Sequence, residues 1–314
     1  MKINASSPFA LSAADQDAFV GDNCTGEPLP QHLVASDGLT MEAALKTTET
    51  VFQPGYRWDV LMVFPTDGVY CVIDAAAPSA ANVGQAAPSR QLLGVVRVAK
   101  GKPVPPDIGA YLTGELVHAA ATNITGPARN KVVSDLRGGL RLESFVPHKT
   151  VEYTELTGYQ KLEFAMPPNG QFQIDGKVFK PDVINRTLML EGVEEWTLTS
   201  ANQGHPYHIH VNPFQIVKIL DPDGKDVSGP DAVDDYPKAL NSVALPDPQY
   251  RGLKGVWKDT IWVKNAGKPD DKLGVYKVIV RTRYQRYIGD FVLHCHILDH
   301  EDNDMMRPLR MAKP

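Results

Sequence analysis

Cysteine is scarce in this chain. Three occur in 314 residues, Cys24, Cys71 and Cys295, too few for a disulfide scaffold to replace a hydrophobic core. Cys24 and Cys71 could pair in an oxidising compartment. Two separate buried or loop thiols is the preferred expectation, because spacing alone fixes no geometry. Long apolar runs are also missing: no stretch approaches the roughly 20 residues of a bilayer-spanning helix, so no membrane partner is expected. Excess positive charge is absent as well. A net charge of −5 and a pI near 6.0 give no basis for binding nucleic acid or an anionic lipid surface. The opening MKINASSPFALSAADQDAF holds one lysine and no sustained apolar segment, so it does not read as a secretory signal. The chain is expected to be cytoplasmic, or a mature form or fragment with its leader removed. Convincing long amphipathic helices are lacking too. EAALKTTETV (42–51) reads as a helical turn or two.

What is present points to β structure. Glycine and proline, 25 of each, punctuate short stretches rich in Val, Ile, Tyr and Trp. These are RWDVLMVF (57–64), GVYCVI (68–73), LLGVVRV (92–98), EEWTLTS (194–200), FQIVKIL (214–220), DTIWV (259–263) and VYKVIVRT (275–282). Such segments bounded by turn formers predict an all-β sandwich or barrel. The length suggests two domains. Between GKPVPPD (101–107) and about Tyr159, a region containing GPARNK, RGG and VPHK, no period is sustained, and it reads as a linker crossing between two β domains with some unspecified local structure. The expected division is a first domain at 1–105, a linker or crossover at 106–158 and a second domain at 159–314.

Six of the nine histidines lie in two windows, GHPYHIH (204–210) and LHCHILDH (293–300). His32, His118 and His148 stand apart. A single histidine on a strand is ordinarily a satisfied polar residue, but the joint pattern carries more. Side chains alternate across a strand with period two. His208 and His210 therefore share one face of their strand, and His294 and His296 share one face of theirs. Cys295 points the other way, with Phe291 and Leu293. His205, of opposite parity to His208, can join Cys295, with His300 and Met305 arriving from the following loop. Two metal environments result, joined by one tripeptide. Two imidazoles, a thiolate and a weak thioether are the donors of a blue-copper electron-transfer site. A structural zinc site would want four strong donors. Met306 could replace Met305, or Met305 could simply belong to the core.

These residues resemble a known family. HPYHIH followed by HCHILDHEDNDMM is similar to the C-terminal copper motifs of multicopper oxidases: laccases, bilirubin oxidases and bacterial spore-coat laccases. VNPFQIVKI, GVWKDTIWV and YIGDFVL resemble the family's third domain. LVASDG (33–38), QPGYRWDVLMVF and GVYCVI resemble its second, copper-free cupredoxin domain. The resemblance implies two cupredoxin-like Greek-key domains joined by a long linker. It also implies His205, Cys295, His300 and axial Met305 as type 1 copper ligands, His208 as a type 2 ligand, and His210, His294 and His296 as type 3 ligands. Cys295 would pass electrons through His294 and His296 to a trinuclear cluster, where oxygen becomes water. Glu301 matches an acid that assists proton delivery in spore-coat-type laccases. Equally, it could be a solvated loop carboxylate, and Asp299, Glu301, Asp302 and Asp304 could merely cap a turn.

One departure stands out. The family completes its trinuclear site with two His-x-His pairs from an N-terminal cupredoxin domain, and no such pair occurs outside the two windows. MKINASSPF resembles the start of the second domain, as though the first were missing. The expected function is the C-terminal portion of a laccase-like oxidase. It would couple one-electron oxidation of phenols, aromatic amines or metal ions to oxygen reduction, and this chain alone would hold an incomplete trinuclear site. A missing N-terminal domain or subunit is the implied partner, and family members are commonly periplasmic, secreted or spore-coat proteins. The alternative is a non-catalytic copper-binding or electron-transfer protein that keeps only the type 1 site. A copper nitrite reductase fits less well, because its type 1 site lies in the first of its two domains.

Overall fold

Every apolar stretch picked out above contributes a strand. The computed structural model describes residues 12–75, 90–201, 203–236, 247–265 and 275–314. MKINASSPF lies outside them. After helix α1 (Ala13–Asn23) come β1 (Gln31–Ser36), β2 (Leu39–Thr47), β3 (Trp58–Met62), β4 (Gly68–Asp74) and β5 (Gln91–Val98). Two helices follow, α2 (Ile108–Asn123) and α3 (Pro127–Arg137). Then come β6 (Gly158–Ala165), β7 (Gln173–Ile174), β8 (Arg186–Met189), β9 (Val193–Ser200), β10 (His205–Ile209) and β11 (Phe214–Leu220). The chain closes with β12 (Trp257–Lys258), β13 (Thr260–Val263), β14 (Lys277–Arg283), β15 (Gly289–Cys295), α4 (Leu298–Asp302) and β16 (Met306–Ala312). No helix among the described residues is long and apolar enough to cross a membrane.

The C-terminal half is a sandwich of two sheets, ordered β13-β10-β15-β16-β8 and β12-β11-β14-β9-β6-β7. Its core lies between them. Trp196 and Leu198 of β9 and Val278 and Val280 of β14 meet Tyr207, Ile209, Leu293 and Cys295 from the facing sheet. The period-two pattern is why: alternate residues of each strand are apolar and face inward. The N-terminal half carries a three-stranded sheet, β2-β1-β3, and a β4-β5 ribbon. Leu33 and Met41 of the first sheet pack on Val256, which precedes β12.

Three expectations need correction. Residues 42–51 are not helical. Most of them lie in β2, where cross-strand pairs such as Leu33↔Leu45 and Gln31↔Thr47 override the helix-forming EAALK. The local structure of the 106–158 region is two helices, where no convincing long helix was expected. Asp107 caps α2 by accepting from the Ala110 amide at 2.9 Å, and Gly126 (φ 71°) with Pro127 starts α3. Residues read as loop punctuation are helix ends, and Ala120, Val132 and Leu136 close a small core between the two helices. Finally, Cys24 and Cys71 are joined in a disulfide, Cα–Cα 6.0 Å. Helix α1 is tethered to the start of β5 by the Arg90–Asp17 ion pair, and that docking brings Cys24, its C-cap, over β4.

The two halves meet at β12 and the edge strand β13. Lys258, fully buried, is 3.0 Å from the Asp37 carboxylate. It also lies under the rings of Tyr56 and Trp58, 4.0 and 4.7 Å from their centroids. The Tyr56 hydroxyl accepts from the Trp262 amide at 2.8 Å. The turn before β3 is thereby laid along the sheet that carries the histidines.

Candidate metal centre

Strands β10 and β15 are neighbours, with Tyr207 opposite Cys295 and His208 opposite His294. The register puts the two kinds of donor on opposite faces of one sheet. Cys295, His205 and Met305 are completely buried, and His300 is nearly so. His208 and His296 are half-buried and His210 is exposed.

On the buried face, Cys295 Sγ lies 3.6 Å from His300 Nδ1, and the His205 and His300 rings are 5.2 Å apart. The short helix α4 turns the chain back after Ile297, so His300 returns to the cysteine five residues earlier. Asp304, in the left-handed region at φ 79°, then reverses the backbone. Two amide bonds lock the loop: Met305 N donates to His300 O at 2.9 Å, and Cys295 N to Met305 O at 3.0 Å. Met305 is buried in the same core cluster as Cys295. Met306 instead starts β16 opposite His294. Phe164 stacks on His205 at 5.3 Å, and Phe172 lies tilted against His300 at 4.5 Å.

Burial sets the protonation states here. Removal from water pushes the Cys295 thiol up to about 12, with a backbone hydrogen bond at Ile297 opposing and Glu301 adding to the rise. Burial and the neighbouring His300 push His205 down to about 3, and burial lowers His300. Both imidazoles are therefore neutral, with lone pairs free to ligate. His205 Nδ1 sits 2.9 Å from Ser200 Oγ, while its Nε2 is buried with no hydrogen-bond partner. A buried ring nitrogen without a partner is costly unless something binds it. With the adjoining thiol, imidazole and thioether, it fits a soft metal such as copper.

The opposite face gathers four imidazoles. Ring centroids of His208 lie 5.1, 5.1 and 5.2 Å from those of His210, His294 and His296. Ligating atoms of His208, His210 and His294 lie within 4.8 Å of one another, and Nε2 of His210 is 3.2 Å from Nε2 of His294. Two of the far nitrogens, those of His208 and His294, are anchored. His208 Nδ1 is 3.0 Å from the Asp259 carbonyl and 2.9 Å from Thr260 Oγ1. His294 Nδ1 is 3.0 Å from the Cys295 carbonyl. A carbonyl only accepts, so each Nδ1 carries the proton and leaves Nε2 with the lone pair that could ligate a metal. Burial lowers His294 to about 4 and also lowers His210. Glu301 lies on this face, its Oε2 3.2 Å from His294 Nδ1.

The structure thus gathers the histidines and the cysteine named from sequence into two groups, one on each face of the sheet. Sequence reasoning missed the supports: Asp259, Thr260, Arg57, Asp37 and Gly55. DTIWV read only as a strand, because the pairing of His208 with Thr260 is a tertiary fact. His32, His118 and His148 stay outside both groups: His32 is buried in β1, His118 is on α2, and His148 packs on Trp257 at 4.8 Å.

Comparison with known proteins agrees with this architecture. A family model described as multicopper oxidase matches residues 145–314. A laccase of Bacillus subtilis (strain 168) is 29% identical over 142 residues, covering 42% of this chain and 23% of that protein. A bilirubin oxidase of Albifimbria verrucaria is 32% identical over 138 residues, covering 42% and 18%. In fold, the chain is similar to a multicopper oxidase from Campylobacter jejuni described as a metallo-oxidase. That match has a TM-score of 0.59 at 19% identity and covers 92% of this chain and 50% of that one. The chain thus spans half of the solved relative, and its matches span about a quarter or less of those two curated ones.

Proposed function

Since this chain belongs to the multicopper oxidase family of copper oxidoreductases, we propose that it supplies the substrate-oxidising copper site and half of the oxygen-reducing cluster of a laccase-like enzyme. His205, Cys295, His300 and Met305 are the type 1 ligands in this reading. His208 is the type 2 ligand, and His210, His294 and His296 are type 3 ligands. Copper, when bound, supplies one-electron acceptance on the thiolate side and four-electron reduction of oxygen to water on the imidazole side. The reductant is a phenol, an aromatic amine or a low-valent metal ion.

The supporting observation is the division of donors across β15: a buried thiol on one face and the imidazoles of its two chain neighbours on the other. The route between the faces is therefore covalent, from Cys295 Sγ through its own backbone to His294 or His296. Burial excludes water from Cys295, and the paired amide bonds of Met305 hold the loop against reorganisation. Glu301, beside His294, is the group in this reading that holds or relays a proton at Oε2. Residues 1–105 and 159–314 act as two cupredoxin-like domains, and a further cupredoxin unit, from a longer form of the protein or from a partner subunit, completes the imidazole cluster. The Cys24–Cys71 disulfide favours an oxidising compartment.

Oxygen uptake with a phenolic reductant tests the reading. The copper-loaded chain alone should turn over little, and a unit bearing two His-x-His pairs should restore uptake. Vigorous uptake by the pure chain, or none after complementation, would contradict it.

A further inference from the structure

The turn at 53–57, in the half of the molecule that bears none of the proposed ligands, reaches the imidazole face directly. Arg57 is the centre of these contacts. Its guanidinium grips both oxygens of Asp259, at 3.2 and 2.6 Å, and also donates to the carbonyls of Gly55 and Asp37 at 2.8 and 3.0 Å. Asp259 is adjacent to His208 in two ways. Its carbonyl takes the Nδ1 proton, and its Oδ1 is 3.5 Å from the same nitrogen. Thr260 Oγ1 donates to Asp259 Oδ1 at 2.8 Å, which leaves the hydroxyl's lone pairs free to accept from His208. Asp37 closes the frame, its Oδ2 accepting from the amides of Asp259 and Thr260 at 3.1 and 3.2 Å.

Gly55 touches the face from a second side. Its φ of +86° lies in the left-handed region, and a β-carbon there would fall 2.7 Å from His296 Cδ2. Only a residue with no side chain lets the His296 ring occupy its place. Arg57, by holding the Gly55 carbonyl, ties this packing to the clamp on Asp259.

We infer that Arg57 is a positioning residue for the four-histidine face, acting through Asp259 and Thr260 on His208 and through Gly55 on His296. It fixes the Nδ1–H tautomer of His208, so that Nε2 is the nitrogen presented to a metal. An outer partner of a ligating imidazole typically contributes tenfold to a hundredfold in metal affinity. Arg57 is one step further out, and its bidentate grip is what a lysine cannot reproduce. The inference rests on the reading that these histidines hold copper.

Two measurements on the chain, wild type against Arg57→Gln and Arg57→Lys, test it. In the first, nitrogen-15 imidazole spectra of the metal-free protein report the His208 tautomer. Wild type should show a single Nδ1–H form, and both variants a mixture. In the second, cupric ion is titrated and followed by electron paramagnetic resonance, which separates imidazole-bound from thiolate-bound copper. Both variants should bind imidazole-site copper more weakly, by up to about tenfold, with the thiolate-site signal unchanged. Gly55→Ala, which leaves Arg57 in place, should weaken the same signal by displacing His296. An unchanged tautomer with unchanged imidazole-site affinity in folded Arg57→Gln would overturn the inference. Should wild type take up no imidazole-bound copper, the metal reading fails, and the tautomer measurement still decides the role of Arg57.

Discussion

The backbone amide of Cys295 donates to the carbonyl of Met305 at 3.0 Å, and both side chains are fully buried in one cluster. The excursion over residues 296–304, short helix included, is thus pinned where it leaves and where it returns. Met306 is instead carried in β16 opposite His294, so Met305 is the methionine of the pair that is buried in the cluster holding the thiol.

Met305→Leu should accordingly preserve the fold, since a volume-conserving swap costs less than about 1.5 kcal/mol. Loss of a weak axial donor destabilises the oxidised metal, so the reduction potential of the thiolate copper should rise. A redox titration of the visible band checks this. An unchanged potential would mean that Met305 is only core.

Gly204 precedes His205 and packs flat against the Trp262 ring, with no room for a β-carbon. Gly204→Ala should cost on the order of 1–3 kcal/mol from overpacking and bleach the thiolate-copper band by shifting His205. Thermal unfolding and absorption spectra, taken on the same samples, read both effects.

Lys258 and Asp37 are both fully buried at the seam between the halves. Removing one partner strands the other charge, so Lys258→Met should lose roughly 3–5 kcal/mol. Adding Asp37→Asn should recover part of that loss, because the stranded charge is then gone. Chemical denaturation of the single and double variants measures the coupling, and strictly additive losses would contradict it.

His32 is 3% exposed on β1 with its Nδ1 unpartnered, and burial lowers its pKa, aided by Lys46 and opposed by a backbone bond at Leu61. Below the ordinary histidine value the unfolded chain gains a proton that the folded chain does not, so stability is lost as pH falls from there toward the lowered value. His32→Asn removes that share. Its melting temperature should gain on wild type as pH drops from about 7.5 to about 5. A constant gap across the range would show that His32 does not titrate with unfolding.

Much of the site was legible in the sequence, because parity along a strand is a local property. Two His-x-His steps and an intervening cysteine can be sorted into faces without knowing what lies beyond either face. The helices α2 and α3 were not legible, since Gly126-Pro127 and Gly138-Gly139 are equally good loop punctuation and helix ends. Nor was the Arg57–Asp259–His208 chain, which spans 202 residues in its first step and depends on how one half of the molecule docks on the other.

The most direct test of the two-faced arrangement is the spectrum of the copper-loaded chain, wild type against Cys295→Ser. The wild type should show an intense thiolate-to-copper absorption together with an imidazole-bound cupric resonance. The variant should lose the first and retain the second. A wild type that stays colourless after loading, or a variant that loses both signals while folded, would contradict the assignment of two separate sites to the two faces of β15.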